Sequence, residues 1–257
     1  MPDPADFDIA CLRADNPGPF TLSGTNTWLL GRDPAWVVDP GPAIDAHVGA
    51  VVAEAERRGG IGGIALTHHH ADHAAAASVL REHSGDPPIA AARSGLGTVT
   101  LAGGEAFGPL VAVATPGHAP DHLAFVADAV CFSGDAVLGE GSVFITPDPG
   151  ALRGYLEGLR RLRALALRLI CPGHGPPVSD PAAKLDEYVA HRLDRERRLI
   201  EAIERGTRGE ADLLDQVWED APAVLRPAAA FTLRAHLDKL REEGRLPPDT
   251  EEPLMRG

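Results

Sequence analysis

Thr67-His68-His69-His70-Ala71-Asp72-His73 places four histidines and one aspartate within seven residues. The run before it, Ile61-Gly62-Gly63-Ile64-Ala65-Leu66, is short and apolar, as a buried strand is. The run after it, Ala74 to Leu80, reads as the continuation of a helix from Asp72 to about His83. The cluster is therefore expected on a strand-to-helix turn. His68 and His70 are two apart and point the same way in an extended segment. Asp72 and His73 then open the helix with a different aim. Imidazole nitrogens and carboxylate oxygens suit zinc, manganese or iron. The spacing offers two ligand sets, His68 with His70 and Asp72 with His73, and so two neighbouring metals.

Two metals need more ligands, and three further stretches offer them. Thr115-Pro116-Gly117-His118 follows the apolar run Leu110 to Ala114. Ser133-Gly134-Asp135 follows Ala129 to Phe132, and Pro172-Gly173-His174-Gly175 follows Leu167 to Cys171. Each candidate follows a short apolar run and adjoins a glycine, which permits a tight turn at a strand end. A lone histidine after a strand is commonly a hydrogen-bonded loop residue. Three such candidates beside the first cluster reinforce one another.

The order His68-x-His70-x-Asp72-His73, His118, Asp135, His174 resembles the signature of the metallo-β-lactamase superfamily, over about residues 7 to 180. The resemblance implies an α/β fold, a four-layer αββα sandwich with a dinuclear site at one edge. It implies His68, His70 and His118 on one metal, Asp72, His73 and His174 on the other, and Asp135 bridging. It places Asp39, in Trp36-Val37-Val38-Asp39-Pro40-Gly41, behind a ligand histidine. Asp-Pro-Gly is also plain turn chemistry. His122 follows His118 by four residues, but Pro120 disfavours a helix that would align them. In related branches this histidine supports the site. True lactamases usually carry cysteine at the bridging position. Aspartate there resembles the glyoxalase II, ribonuclease and phosphodiesterase branches and argues away from antibiotic hydrolysis.

The 257 residues suffice for one large domain and a small one. The expected division is 1–180 for the catalytic domain and 181–257 for the tail. A net charge of −13 is not the usual footprint of a nucleic-acid binder. Cys11, Cys131 and Cys171 are sparse and odd in number, which fits a reducing cytoplasm and buried thiols. The acidic start, Met1 to Asp6, lacks the apolar core of a signal peptide, and no stretch reaches the ~18 apolar residues of a membrane span. Helical spacing covers Ile44 to Arg58 and Leu152 to Leu167, the latter carrying Arg153, Arg160, Arg161, Arg163 and Arg168 at or near it as a candidate basic strip. Residues 17 to 26, residues 141 to 150 with Gly141 to Thr146 at the entrance, and the tail are the candidate walls of the substrate site.

Past Pro181 glycine thins out. Lys184 to Arg205, Ala211 to Glu219 and Pro227 to Glu243 read as three helices, closed by Gly244-Arg245-Leu246-Pro247-Pro248. Three helices and a short extended piece resemble the winged-helix tail of the lactamase-like endoribonucleases and their bacterial relatives. With 13 basic and 17 acidic side chains the tail is itself acidic, unlike a DNA reader. A packing, lid or homodimerisation role is expected. Lys184, Tyr188 and Arg192 share helical spacing, a pattern too common to carry a function.

No phosphate-cradling glycine loop and no nucleophile elbow is present. The expected chemistry is hydrolysis by an activated water shared between two divalent cations, zinc first, with iron or manganese also suited. Asp72 doubles as the residue that orients the water. The expected substrate is a small ester, thioester or lactone. The alternative is single-stranded RNA, and the third reading is a non-hydrolytic iron-dependent member.

Overall fold

The computed structural model describes residues 2–246. Two antiparallel strands, β1 (Ile9–Arg13) and β2 (Asn26–Leu30), lead into β3 (Ala35–Val38), helix α1 (Asp45–Arg57) and β4 (Ile61–Ala65). Helices α2 (Ala71–Ala74) and α3 (Ala77–His83) follow, then β5 (Ile89–Ala91) and β6 (Val99–Thr100). These strands form a six-stranded sheet in sequence order. The hairpins β7 (Ala106–Phe107), β8 (Leu110–Ala114), β9 (Leu123–Ala127) and β10 (Val130–Gly134) build the second sheet. Helix α4 (Ala151–Arg163) returns the chain so that β11 (Leu169–Pro172) adds parallel to β10 at the sheet edge.

Strand alternation assigns the layers. On β2 and β3, Trp28 and Val38 turn toward the second sheet, while Leu29 and Val37 turn toward α1 and α3, where Val51, Ala55 and Leu80 cover them. On β10 and β11, Phe132, Leu169 and Cys171 face inward, and Cys131 and Ile170 face outward onto Leu152, Tyr155, Leu156 and Leu159 of α4. Both faces of each sheet are covered, giving the αββα sandwich. Cys171 belongs to the inter-sheet core. The two sheets are pinned together at one end. Trp28 Nε1 and Asn26 Nδ2 both donate to the Pro172 carbonyl, each at 3.0 Å, and the Asn26 side chain also reaches the Gly175 carbonyl.

Two helices depart from the sequence expectation. The alanine-rich run from Asp72 does not continue unbroken to His83 but breaks at Ala75–Ala76. The cause is a long-range exchange with the loop after β3. Gly41 N donates to the His73 carbonyl and Ala76 N donates to the Gly41 carbonyl, both at 3.0 Å. These bonds replace the intrahelical ones that propensity favours. Gly41 adopts φ +88°, and a Cβ there would meet His47 Nε2 at 2.6 Å. Helix α4 stops at Arg163, short of Leu167.

Among the described residues, three α-helices form the tail: α5 (Pro181–Glu204), α6 (Glu210–Val217) and α7 (Arg226–Glu242). Asp180 caps α5 by accepting from Ala183 N, and Pro181 takes the first-turn position where no amide donor is needed. The three helices share a core of Leu199, Ile203, Leu213, Val217, Trp218, Leu233, Leu237 and Leu240. Leu185, Tyr188 and Ala235 instead join the core under α4, so the tail is packed against the sandwich. From Pro247 on, the extended piece expected after the third helix lies outside the described residues.

Candidate metal centre

All seven candidate ligands reach one edge of the sandwich. His68 and His70 leave the end of β4, His118 follows β8, Asp135 follows β10 and His174 follows β11. Helix α2 supplies Asp72 and His73. The donor atoms of His68, His70 and His118 lie within 4.8 Å of one another, and so do those of Asp72, His73 and His174. His70 Nδ1 and His118 Nε2 approach to 3.0 Å, and His73 Nε2 and His174 Nε2 to 3.2 Å. Asp135 stands between the sets. Its Oδ2 is 3.4 Å from His118 Nε2, and its Oδ1 is 3.4 Å from both His73 Nε2 and His174 Nε2. His68 also comes within reach of His73 and Asp135, a third grouping that spacing alone does not suggest.

The rear nitrogens are held from behind. Asp39, buried at the end of β3, accepts from Thr67 N at 2.8 Å, Thr67 Oγ1 at 2.7 Å and His73 Nδ1 at 2.9 Å. Because Thr67 donates to Asp39, its oxygen is left to accept from His68 Nδ1 at 3.0 Å. One carboxylate thus fixes two imidazoles, which leaves both Nε2 atoms facing the cluster. His118 Nδ1 rests on the Phe144 carbonyl and His174 Nδ1 on the Gly24 carbonyl. His122 does not join the ligand groups. Its Nδ1 meets Thr115 Oγ1, and its Nε2 accepts from Asp135 N at 3.1 Å, so it positions the Asp135 backbone. His69 turns away to Asp121.

The donor set fits divalent cations. His68 Nε2 and Asp135 Oδ1 are buried with no hydrogen-bond partner, the unmet capacity that a cation satisfies. Gly173 keeps the centre open, since a Cβ there would lie 2.6 Å from His73 Cε1 and 2.8 Å from Asp135 Oδ1. Charge points the same way. Burial opposes charging His73, yet the carboxylates of Asp135 and Asp39 override it and hold its pKa well above the ordinary value. Burial likewise opposes a charge on His174, and Asp135 and Asp72 lift it to about 9. Asp135, despite burial, is held well below the carboxylate range by His73 and His174. Burial pushes His118 down to about 4. The edge therefore draws positive charge toward its carboxylates while keeping other imidazoles free to coordinate.

In front of the cluster lies a cavity of about 570 Å³. His70, Asp72, His118, Asp135 and His174 form its floor. Its walls come from Pro19, Phe20 and Leu22, from Gly141 to Phe144, and from Trp218, Leu225 and Phe231 of the tail. The two entrance segments were legible in the sequence. Thr67 and Thr115 were not, because a lone threonine carries no signal of what it bridges. The tail was expected among the walls, but its individual wall residues were not legible, because nothing local says which helical face meets the cavity.

Asp39 offers the first quantitative test. Its φ of +51° suits asparagine, so Asp39→Asn should keep the backbone while losing the charge that orients His73 and His68. Zinc affinity, measured against a competing chelator, is expected to fall roughly 10–100-fold. Unchanged affinity would remove Asp39 from the centre.

Comparison with known proteins agrees with this architecture. The metallo-beta-lactamase superfamily model matches residues 20–96 and 94–174, and the beta-lactamase associated winged helix domain model matches residues 210–247. A beta-lactamase-like protein 2 homolog of Caenorhabditis elegans is 33% identical over 251 residues, covering 89% of this chain and 82% of that one. An atrochrysone carboxyl ACP thioesterase of Aspergillus chevalieri is 34% identical over 204 residues, covering 74% and 64%. A metallo-beta-lactamase family protein from Thermus thermophilus shares the fold with a TM-score of 0.72 at 24% identity, over 92% of this chain and 94% of that one. The chain belongs to the metallo-beta-lactamase superfamily and is a metal-dependent hydrolase. Among the described residues no helix is long and apolar enough to cross a membrane.

Proposed function

We propose that the chain hydrolyses a small carbonyl ester with an apolar body, a thioester first and a lactone or oxygen ester next. The observation that carries this reading is the cavity, whose walls are largely aliphatic and aromatic. A relative named as an acyl-carrier thioesterase supports it. In this reading His68, His70 and His118 hold one cation, Asp72, His73 and His174 the other, and Asp135 lies between them. Zinc is the first choice, because nitrogen and carboxylate donors suit it. Two bound cations supply an activated water near neutral pH and stabilise charge on the attacked group. The chain's own residues do the positioning. Asp72 is steadied by Thr25 Oγ1 at 3.3 Å and borders the cavity, where its carboxylate orients the attacking water. Phe20 and Phe144 pack edge-on at 5.8 Å and shield the approach. A thiol has a pKa near ~8.5, so it leaves with little help from an acid, and none is required of the chain. In this reading the residues before Pro181 supply the chemistry, and the described tail, residues 181–246, supplies a wall of the substrate site.

Three of the five arginines of the candidate basic strip are already paired with carboxylates, which weakens it as a site for a polyanion. Arg153 pairs with Glu242, Arg161 with Glu157 and Arg163 with Asp186. Arg195, at the cavity wall, is committed to Asp220 and the Val217 carbonyl. Nucleic-acid binding rests on free cations that neutralise phosphates.

Reconstituted protein should carry close to two transition-metal ions per chain by elemental analysis. A single ion at saturation would contradict the paired assignment. The zinc-loaded protein should turn over members of a thioester and lactone panel and lose that turnover in Asp72→Ala. Metal-dependent cleavage of single-stranded RNA, lost in Asp72→Ala and unaccompanied by thioester or lactone turnover, would overturn the reading.

A further inference from the structure

Arg192 on α5 is among the largest fully buried side chains, 2% exposed. One of its terminal nitrogens donates to the Val143 carbonyl, and its guanidinium carbon lies 5.4 Å from the centre of the Tyr155 ring. Its Nε is buried with no partner. Among the described residues no carboxylate pairs with it, whereas the other buried cations each have one. Arg58 has Glu54, Arg195 has Asp220, and Lys239 has Glu196. A guanidinium stays charged at every relevant pH, and a buried charge is rarely left without a counter-ion.

Asp72, Asp135, Glu140 and Asp220 border the same cavity, and among the described residues none of them forms an ion pair with Arg192. Asp220 is spent on Arg195, and Glu196 on Lys239 and Arg245. Burial, Arg192 and Arg195 hold His191 down to about 4, and burial with Arg192 and Lys239 keeps His236 neutral. The unmatched positive charge borders the cavity. It also sits close to the metal edge, since the next carbonyl along the same loop, that of Phe144, receives His118 Nδ1.

We propose that Arg192 receives a carboxylate carried on the substrate's apolar body while the scissile carbonyl lies at the His-Asp cluster. This rests on the hydrolase reading above. Simple anchoring of the loop by Arg192 would affect every substrate alike, and a carboxylate subsite would not.

The test uses zinc-loaded protein and two acyl thioesters of equal length, one ending in a free carboxylate and the other in its methyl ester. The wild type should favour the carboxylate by about tenfold or more in kcat/KM, chiefly through KM. Arg192→Gln should erase that preference and leave the methyl ester within about twofold, and Arg192→Lys should keep part of it. A wild type indifferent to the carboxylate, or an Arg192→Gln variant that weakens both substrates equally, would overturn the proposal. The comparison within the wild type stands even where a variant fails to fold. Neither thioester being turned over would count against the hydrolase reading alone. Binding of non-hydrolysable thioether analogues, followed by fluorescence of Trp218 at the cavity wall, then decides the subsite. Tighter binding of the carboxylate analogue that is lost in Arg192→Gln supports it, and equal binding of the two analogues refutes it.

Discussion

Asp135→Ala is expected to lower hydrolysis on the order of 10³-fold, about 4 kcal/mol of transition-state stabilisation, while the fold melts nearly as before. The size follows from position. Asp135 alone puts one oxygen toward His118 and the other toward His73 and His174, so its removal opens both ligand groups together. It also takes away the carboxylate charge that most raises the pKa of His73 and His174. The backbone should hold, because the Asp135 amide still donates to His122 and the strand beneath it is fully buried. Asp135→Asn separates charge from shape. It preserves the side-chain volume and should lose most of the same activity. The measurements are kcat/KM across a zinc titration, bound metal by elemental analysis, and a thermal melt. Wild-type turnover with full metal content in either variant would end the bridging assignment.

How far a sequence discloses such a site depends on how local its determinants are. The strand–glycine–ligand pattern at Gly117-His118, Gly134-Asp135 and Gly173-His174 is local, since each turn is built from adjacent residues and follows its own apolar strand. The sandwich was expected through the family resemblance that the order of these motifs carries. The strands β2, β3, β10 and β11 are near-continuous apolar runs buried on both faces and do not themselves say which side chain meets which layer. The break between α2 and α3 was not legible. Its determinant is a pair of hydrogen bonds to Gly41, more than thirty residues away, and an alanine run carries no sign of them. The network behind the ligands divides similarly. Asp39 was visible at a strand end, but the relay through Thr67 to His68 exists only once β3 and β4 lie side by side. In the tail, helical spacing located all three helices. Arg192, Trp218 and Phe231 reach the cavity only through the packing of those helices on one another and on the sandwich. That packing is set by side-chain contacts distant in sequence, and composition does not encode it.

The tail's integrity leads to the second large effect. Glu196 is buried between α5 and α7, with Oε2 2.7 Å from Lys239 Nζ and Oε1 2.6 Å from Arg245 Nη1. Glu196→Ala leaves Lys239, only 9% exposed, short of its main counter-charge. Breaking a buried pair from one side typically costs 3–5 kcal/mol. Glu243 still reaches Lys239 at 2.9 Å, which places the expected loss near the lower end, about 3 kcal/mol. Arg245 adds little, being half exposed and also paired with Glu243. For a chain of this size the melting point should fall by roughly 6–12 °C. Replacing both partners, Glu196→Ala with Lys239→Met, removes the stranded charge and should recover much of the loss. The kinetic signature should be the reverse of that of Asp135→Ala. The metal edge is untouched, so turnover at saturating substrate should persist, while a loosened wall at Trp218 and Phe231 should raise KM. Urea melts of the single and double variants, read beside kcat and KM, test both halves. If the single variant stays within about 0.5 kcal/mol of wild type, the buried network does not hold α5 to α7. If its kcat collapses while KM stays fixed, the tail acts on the chemistry and not as a wall of the substrate site.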